Sequence, residues 1–146
     1  MKTILVAEDD ADDVFMLRRA LTRSGIKAQL QIVTDGEQAM SYLRGEHHYG
    51  DRERFPFPSL TLLDIKMPRM TGLEALQAIR DDPALKRLPV VVFSSSDQPC
   101  DINRAFDLHA NSYLVKTSNL GFLEQLLCTV EEYWLALNQG PTCPCN

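Results

Sequence analysis

Leu60-Thr61-Leu62-Leu63-Asp64-Ile65-Lys66-Met67-Pro68-Arg69-Met70-Thr71-Gly72-Leu73-Glu74 is the stretch on which the fold turns. Leu60–Leu63 is a short, continuous apolar run, which marks a strand buried on both faces rather than one with a wet side. The run ends on a carboxylate, Asp64. After a short loop, Thr71-Gly72-Leu73-Glu74 reads as a capping box, with hydroxyl and carboxylate spaced to satisfy free backbone N–H groups at a helix start. That helix stops near Asp82-Pro83. Strand, carboxylate, loop and helix make one βα unit.

The unit recurs in both directions. Ile4–Ala7, Leu30–Val33, Pro89–Phe93 and Tyr113–Val115 are further apolar runs of strand length. Helical spacing fills the gaps between them. Val14, Leu17 and Leu21 line one face of a first helix that stops near Ser24-Gly25. Ala39, Met40 and Leu43 mark a second, ending at Gly45. Ile102, Ala105, Phe106 and His109 mark the fourth, and Leu123, Leu126, Leu127, Val130, Trp134 and Leu137 a long last one. The pattern is (βα)5, an α/β fold. It predicts a flavodoxin-like, doubly wound parallel sheet with strand order 2-1-3-4-5, in three layers with helices on both faces. Residues 1–138 form the expected domain and 139–146 a flexible C-terminal tail.

One connection is irregular. Gly45–Ser59 is long for a compact domain, and such loops are commonly functional or mobile. It carries His47-His48, which lack a third ligand nearby and read as solvent-exposed loop histidines rather than a metal pair.

Composition excludes several classes. The chain has 146 residues, 45% hydrophobic and 24% charged, ordinary values for a globular domain. Its longest uncharged apolar run, Leu88–Phe93, is far too short to span a bilayer. Ile4–Ala7 runs into acids rather than a cleavage site, so no signal peptide is read and a cytoplasmic location is expected. A net charge of −5 without a basic stripe argues against nucleic acid as a partner. The four cysteines do not suggest a disulfide framework. Cys100 and Cys128 fall far apart in helical regions, and Cys143 and Cys145 lie in the Pro-rich tail.

Open α/β sheets bind ligands beyond the carboxyl ends of their strands, where the strand order reverses. In the order 2-1-3-4-5 that crevice lies between the first and third strands. The first ends at Glu8-Asp9-Asp10 and the third at Asp64, so carboxylates meet there with nothing local to neutralise them. A cluster of hard oxygen donors suits Mg2+, which keeps several waters. Helix capping would account for Asp12 and Asp13, but it does not account for Asp64. The fourth strand adds Ser94-Ser95-Ser96 and the fifth adds Lys116 to the same crevice. A metal, a nucleophilic carboxylate, a hydroxyl and a fixed cation are the parts needed to move a phosphoryl group onto Asp64.

Taken together, Ile4-Leu5-Val6-Ala7-Glu8-Asp9-Asp10, Leu62-Leu63-Asp64-Ile65-Lys66-Met67-Pro68-Arg69-Met70-Thr71-Gly72, Ser94 and Tyr113-Leu114-Val115-Lys116 resemble the receivers of two-component response regulators. The resemblance covers residues 2 to about 137. The long Gly45–Ser59 loop, Ala110-Asn111-Ser112-Tyr113 and Glu132-Tyr133-Trp134 resemble the single-domain regulators that accompany bacterial phytochromes. The resemblance implies a role for each position. Asp64 takes the phosphoryl group from a sensor histidine kinase. Glu8, Asp9, Asp64 and the backbone carbonyl of Lys66 hold Mg2+. Ser94 moves to the phosphate, Tyr113 follows as the coupled switch residue, and Lys116 pairs with phosphoryl oxygens. Pro68 and Gly72 shape the loop after Asp64, Gly72 through a positive φ.

Two departures from the family pattern stand out. Thr117 follows Lys116 where the family has proline, often with a cis bond that costs about 2.5–4 kcal/mol without proline. An altered turn is expected, with consequences for the reach of Lys116. Lys66 stands where a polar or small residue is usual and is expected either to shade the acyl phosphate or to pair with Glu8.

Phosphatases with an aspartate nucleophile also place Asp after a parallel strand, but they need a second acid at the position of Lys66. The pattern G-x-x-x-x-G-K-[ST] is absent as well. A turnover enzyme is therefore not expected, beyond the chain's own phosphorylation and slow hydrolysis. A module that kept the fold and lost the switch would not need Glu8, Asp9, Asp64, Ser94 and Lys116 together. On the first helix Phe15 and Arg19 lie off the apolar face and are candidates for docking kinase helices. Tyr133 and Trp134 are candidates for homodimer contact, or Trp134 for covering the lower edge of the domain.

Overall fold

The computed structural model describes residues 1–141. The Cys143 and Cys145 expectation lies outside them. Five strands, β1 (Lys2–Ala7), β2 (Ala28–Val33), β3 (Leu60–Leu63), β4 (Val90–Ser94) and β5 (Ser112–Val115), form one parallel sheet in the order β2-β1-β3-β4-β5. The helices between them are α1 (Ala11–Ser24), α2 (Gly36–Arg44), α3 (Gly72–Asp81), α4 (Pro99–Asp107) and α5 (Leu120–Val130). The expected strand order and three layers are both present.

Strand alternation sorts the core into two halves. Leu5, Ala7, Leu63, Val90 and Val92 pack with Ala39, Met40, Leu73, Leu76 and Ala105, from α2, α3 and α4. Ile4, Val6, Leu60, Leu62, Val91 and Phe93 pack with Leu17, Ala20, Leu123 and Leu127, from α1 and α5. β1, β3 and β4 are buried almost throughout, as their apolar runs predict. The edge strands β2 and β5 are only half-buried along most of their length.

Helix ends follow local chemistry, with one correction. Thr71 and Glu74 form the reciprocal capping box expected of them. At α1 the cap is Asp10, whose Oδ1 accepts the N–H of Asp12 at 2.8 Å and of Asp13 at 3.3 Å. Asp12 and Asp13 instead occupy the first turn, where the helix dipole favours acids. Gly25 and Gly45 end α1 and α2 in the left-handed conformation. His109 lies beyond α4, itself left-handed. The last helix is not uniform, because residues Glu131–Leu137 widen into a π-helical segment.

The Gly45–Ser59 connection is anchored rather than loose. Arg52 donates to the carbonyls of Tyr42 (2.8 Å), Leu43 (2.9 Å) and Phe55 (3.2 Å), tying the connection to the C-terminal turn of α2. Tyr42 donates its hydroxyl to the Pro56 carbonyl at 2.7 Å. Tyr49, Phe55 and Phe57 pack against the first core. His47 and His48 are exposed, as expected, and His48 stacks on Tyr49.

Candidate functional site

The site forms at the carboxyl edge of β1, β3, β4 and β5. Parallel pairing puts Ala7 beside Leu63, so the next residues, Glu8 and Asp64, come together at the switch point. The Asp64 N–H donates to the Ala7 carbonyl at 3.1 Å, continuing the ladder one step past the strand. Carboxylate oxygens of Glu8, Asp9 and Asp64 all lie within 4.8 Å of one another. Glu8 and Asp64 are buried while Asp9 is exposed, giving the cluster one wet side.

Lys116 enters from the end of β5. Its ammonium pairs with Glu8, with Asp13 at 2.8 Å and with Asp64 Oδ2 at 3.3 Å. An ammonium has three protons to give, and these acids surround it with three acceptors. Burial works against its charge, but hydrogen bonds to Asp13 and Glu8 and the Asp64 charge outweigh that and raise its pKa. Burial pushes the Glu8 carboxyl up to about 7, opposed by the Lys116 hydrogen bond and reinforced by the Asp64 charge. Four carboxylates, Glu8, Asp9, Asp13 and Asp64, with one ammonium leave the site short of positive charge.

That shortage is the test of whether a metal fits, and the residues present pass it. The donors are oxygens alone, the set that a hard divalent cation takes. Among the described residues no hydrogen bond ends on the Lys66 carbonyl, so that oxygen is free to contribute.

Thr117 does not prevent Lys116 from reaching the acids. The described residues contain no cis peptide bond. The Lys116 N–H donates to the Ser94 carbonyl at 2.8 Å, extending the β4–β5 ladder. The Thr117 hydroxyl accepts the Asn119 N–H at 3.1 Å, and Asn119 in turn caps α5. This is the altered turn expected without proline. Lys66 is exposed and pairs with no acid among the described residues, while Lys116 holds Glu8.

Ser94 is buried at the end of β4, and its Oγ accepts the Ser96 N–H at 3.1 Å. Tyr113 donates its hydroxyl to the Ser96 carbonyl at 2.9 Å. Both residues are therefore tied to the same β4–α4 loop. Pro68 is exposed in the β3–α3 loop.

Gly72 is required for a different reason from the one expected. A Cβ there would stand 1.9 Å from the Asp64 carbonyl oxygen and 2.7 Å from its carbon, so space rather than positive φ demands glycine. The positive φ in this loop belongs to Arg69, at 62°.

Phe15 and Arg19 are exposed on α1, clear of the carboxylate cluster. At the far end of the molecule Trp134 is half-buried against the second core and lines a cavity of about 700 Å³ with Lys2, Phe57 and Leu88. Trp134 therefore lies at the lower edge of the domain, and Tyr133 beside it is exposed.

Comparison with known proteins agrees with this arrangement. The response regulator receiver domain model matches residues 4–127. The response regulator Rcp1 of Synechocystis is 38% identical over 134 residues, 92% of this chain and 89% of that protein. Its Mn(2+)-bound structure superposes with a TM-score of 0.83 at 37% identity, covering 97% of this chain and all of that one. The phosphorylated cyanobacterial phytochrome response regulator RcpA is 40% identical with a TM-score of 0.86, covering 97% and 99% of the two chains. Response regulator RPA3017, from red light signalling in R. palustris, is 33% identical with a TM-score of 0.92 and the same coverage. The chain belongs to the response regulator receiver family.

Asp13 is the site residue that motif reading missed. It lies in the first turn of α1 and meets Lys116 across 103 positions of sequence. No local signal carries that contact.

Proposed function

We propose that this chain is a stand-alone switch that accepts a phosphoryl group on Asp64 from a sensor histidine kinase and signals through protein contacts. One observation carries the reading. Asp64 is a buried carboxylate grouped with Glu8 and Asp9, and an ammonium lies 3.3 Å from it. An Asp64 oxygen attacks phosphorus, the P–N bond of the donor phosphohistidine breaks, and its electron pair returns to the imidazole. Lys116 neutralises charge gathering on the transferred oxygens. Mg2+, held by Glu8, Asp9, Asp64 and the Lys66 carbonyl, would supply Lewis-acid stabilisation of the same charge. Ser94 then has a new acceptor, and Tyr113 responds through the loop they share. The switch unit is residues 1–138, followed by the short 139–146 stretch.

The chain turns over no external substrate in this reading beyond slow loss of its own phosphoryl group. A phytochrome-type kinase is the favoured donor, supported by the identity to Rcp1 and RcpA along nearly the full chain. No helix among the described residues is long and apolar enough to cross a membrane, which is consistent with action in the cytoplasm.

Kinase contact is assigned to α1, where Phe15 is 61% exposed. Phe15→Ala should slow transfer from the kinase about tenfold, the effect of losing a buried interface anchor, while labelling by acetyl phosphate is unchanged. Equal kinase transfer by both proteins would remove Phe15 from the docking surface.

A further inference from the structure

We infer that the Asp35–Arg69 pair is a positioning device that clamps the metal-bearing loop after Asp64 onto the start of α2. The inference rests on the functional reading above and gives a role to two residues, Asp35 and Arg69, to which the receiver resemblance assigns none.

Asp35 sits at the end of the β2–α2 turn, 1% exposed. One oxygen, Oδ1, accepts the Gln38 N–H at 2.7 Å and caps α2. The other, Oδ2, takes two contacts from Arg69, Nε at 2.8 Å and Nη2 at 2.6 Å. Burial opposes the Asp35 charge, yet the Gln38 N–H and the guanidinium together hold its carboxyl below the usual range. Arg69 meets this carboxylate from a left-handed backbone, a conformation that non-glycine residues adopt only at a cost.

A second tie lies beside the first. The Gly36 N–H donates to the Met70 carbonyl at 2.9 Å, and a Cβ on Gly36 would stand 2.5 Å from that oxygen. The loop is also closed at its base, where the Gly72 N–H donates to the Ile65 carbonyl at 2.9 Å. Residues 66–71 are thus held at Arg69, at Met70 and at Gly72. The Lys66 carbonyl belongs to this loop, and a main-chain oxygen has no side-chain torsion with which to find a cation. Its position is set by what holds the loop.

The test uses Asp35→Asn and Arg69→Asn. Asparagine at 35 keeps an oxygen to cap α2 and loses the charge. Asparagine at 69 tolerates the left-handed backbone and loses the guanidinium. Mg2+ affinity is read by calorimetry on the full chain, and phosphorylation by acetyl phosphate is followed across Mg2+ concentrations. Each variant should bind Mg2+ about tenfold more weakly, since groups that orient metal ligands are typically worth 10–100-fold in affinity. The double variant should be no weaker than either single one. At saturating Mg2+ the labelling rate should return to within about twofold of wild type, because the defect lies in metal affinity.

Unchanged Mg2+ affinity in both variants would overturn the inference. So would a lower saturated rate with no shift in the Mg2+ requirement, the sign of general damage to the fold. Asp35 is buried and Arg69 is 57% exposed, so Arg69→Asn remains informative if Asp35→Asn folds poorly. Failure of the wild-type chain itself to bind Mg2+ would overturn the functional reading and this inference with it.

Discussion

Gly72→Ala is expected to destabilise the chain by about 3 kcal/mol or more, the upper end of what overpacking costs. The added methyl group would lie 1.9 Å from the Asp64 carbonyl oxygen and 2.9 Å from the Ile65 Cα, all main chain. No rotamer relieves a clash with backbone, so β3 and α3 must separate where the phosphoryl acceptor sits. Gly25→Ala is the matched control. It meets nothing within 4 Å and carries only the strain of φ 72°, about 1–2 kcal/mol. Urea unfolding of both variants reads the difference. A Gly72→Ala midpoint at or above that of Gly25→Ala would contradict the close approach.

Lys116→Met should reduce labelling by acetyl phosphate at least about 100-fold, the usual loss when a preorganised charge-stabilising donor is removed. Methionine keeps the length and the apolar stem, so packing is little disturbed. The same change leaves Glu8, Asp13 and Asp64 without their ammonium. Breaking a buried ion pair from one side costs about 3–5 kcal/mol, discounted here because Asp13 is 39% exposed on its side chain. Millimolar Mg2+ should return part of that stability, since binding to the folded state alone stabilises it. Labelling within a few-fold of wild type would remove Lys116 from the mechanism.

Legibility followed how local each determinant is. β1, β3 and β4 were readable because a central parallel strand must be apolar on both faces. β2 begins at Ala28 and β5 at Ser112, earlier than their apolar runs, because an edge strand tolerates Gln29, Gln31 and Ser112 beside solvent. The α3 capping box announced itself in Thr71 and Glu74. The α1 cap did not, since Asp10, Asp12 and Asp13 all suit a helix start and only the end of β1 decides among them. At Gly72 the sequence states that a side chain is forbidden without saying whether φ or space forbids it. The π-helical widening after Val130 left no trace in the apolar spacing.

The site divides in the same way. Glu8, Asp9, Asp64, Ser94 and Lys116 each sit at the end of a strand or within two steps of it, so predicting the sheet order also predicted their meeting place. Asp13 and the Asp35–Arg69 pair depend on helix rotation and on a loop folding back across 34 residues. Those are tertiary facts. Thr117 illustrates the converse: the departure was visible in sequence, but its mildness depends on the Ser94 carbonyl and on Asn119, neither adjacent to it.

The central claim is that Asp64 accepts a phosphoryl group with help from a divalent cation. Intact-mass spectrometry after acetyl phosphate treatment tests it most directly, on wild type and Asp64→Asn, with Mg2+ and with chelator. The account predicts a labile gain of about 80 Da, one phosphoryl group, in wild type with Mg2+ and in no other sample. A gain that survives in Asp64→Asn, or no gain in wild type that demonstrably binds Mg2+, would contradict it.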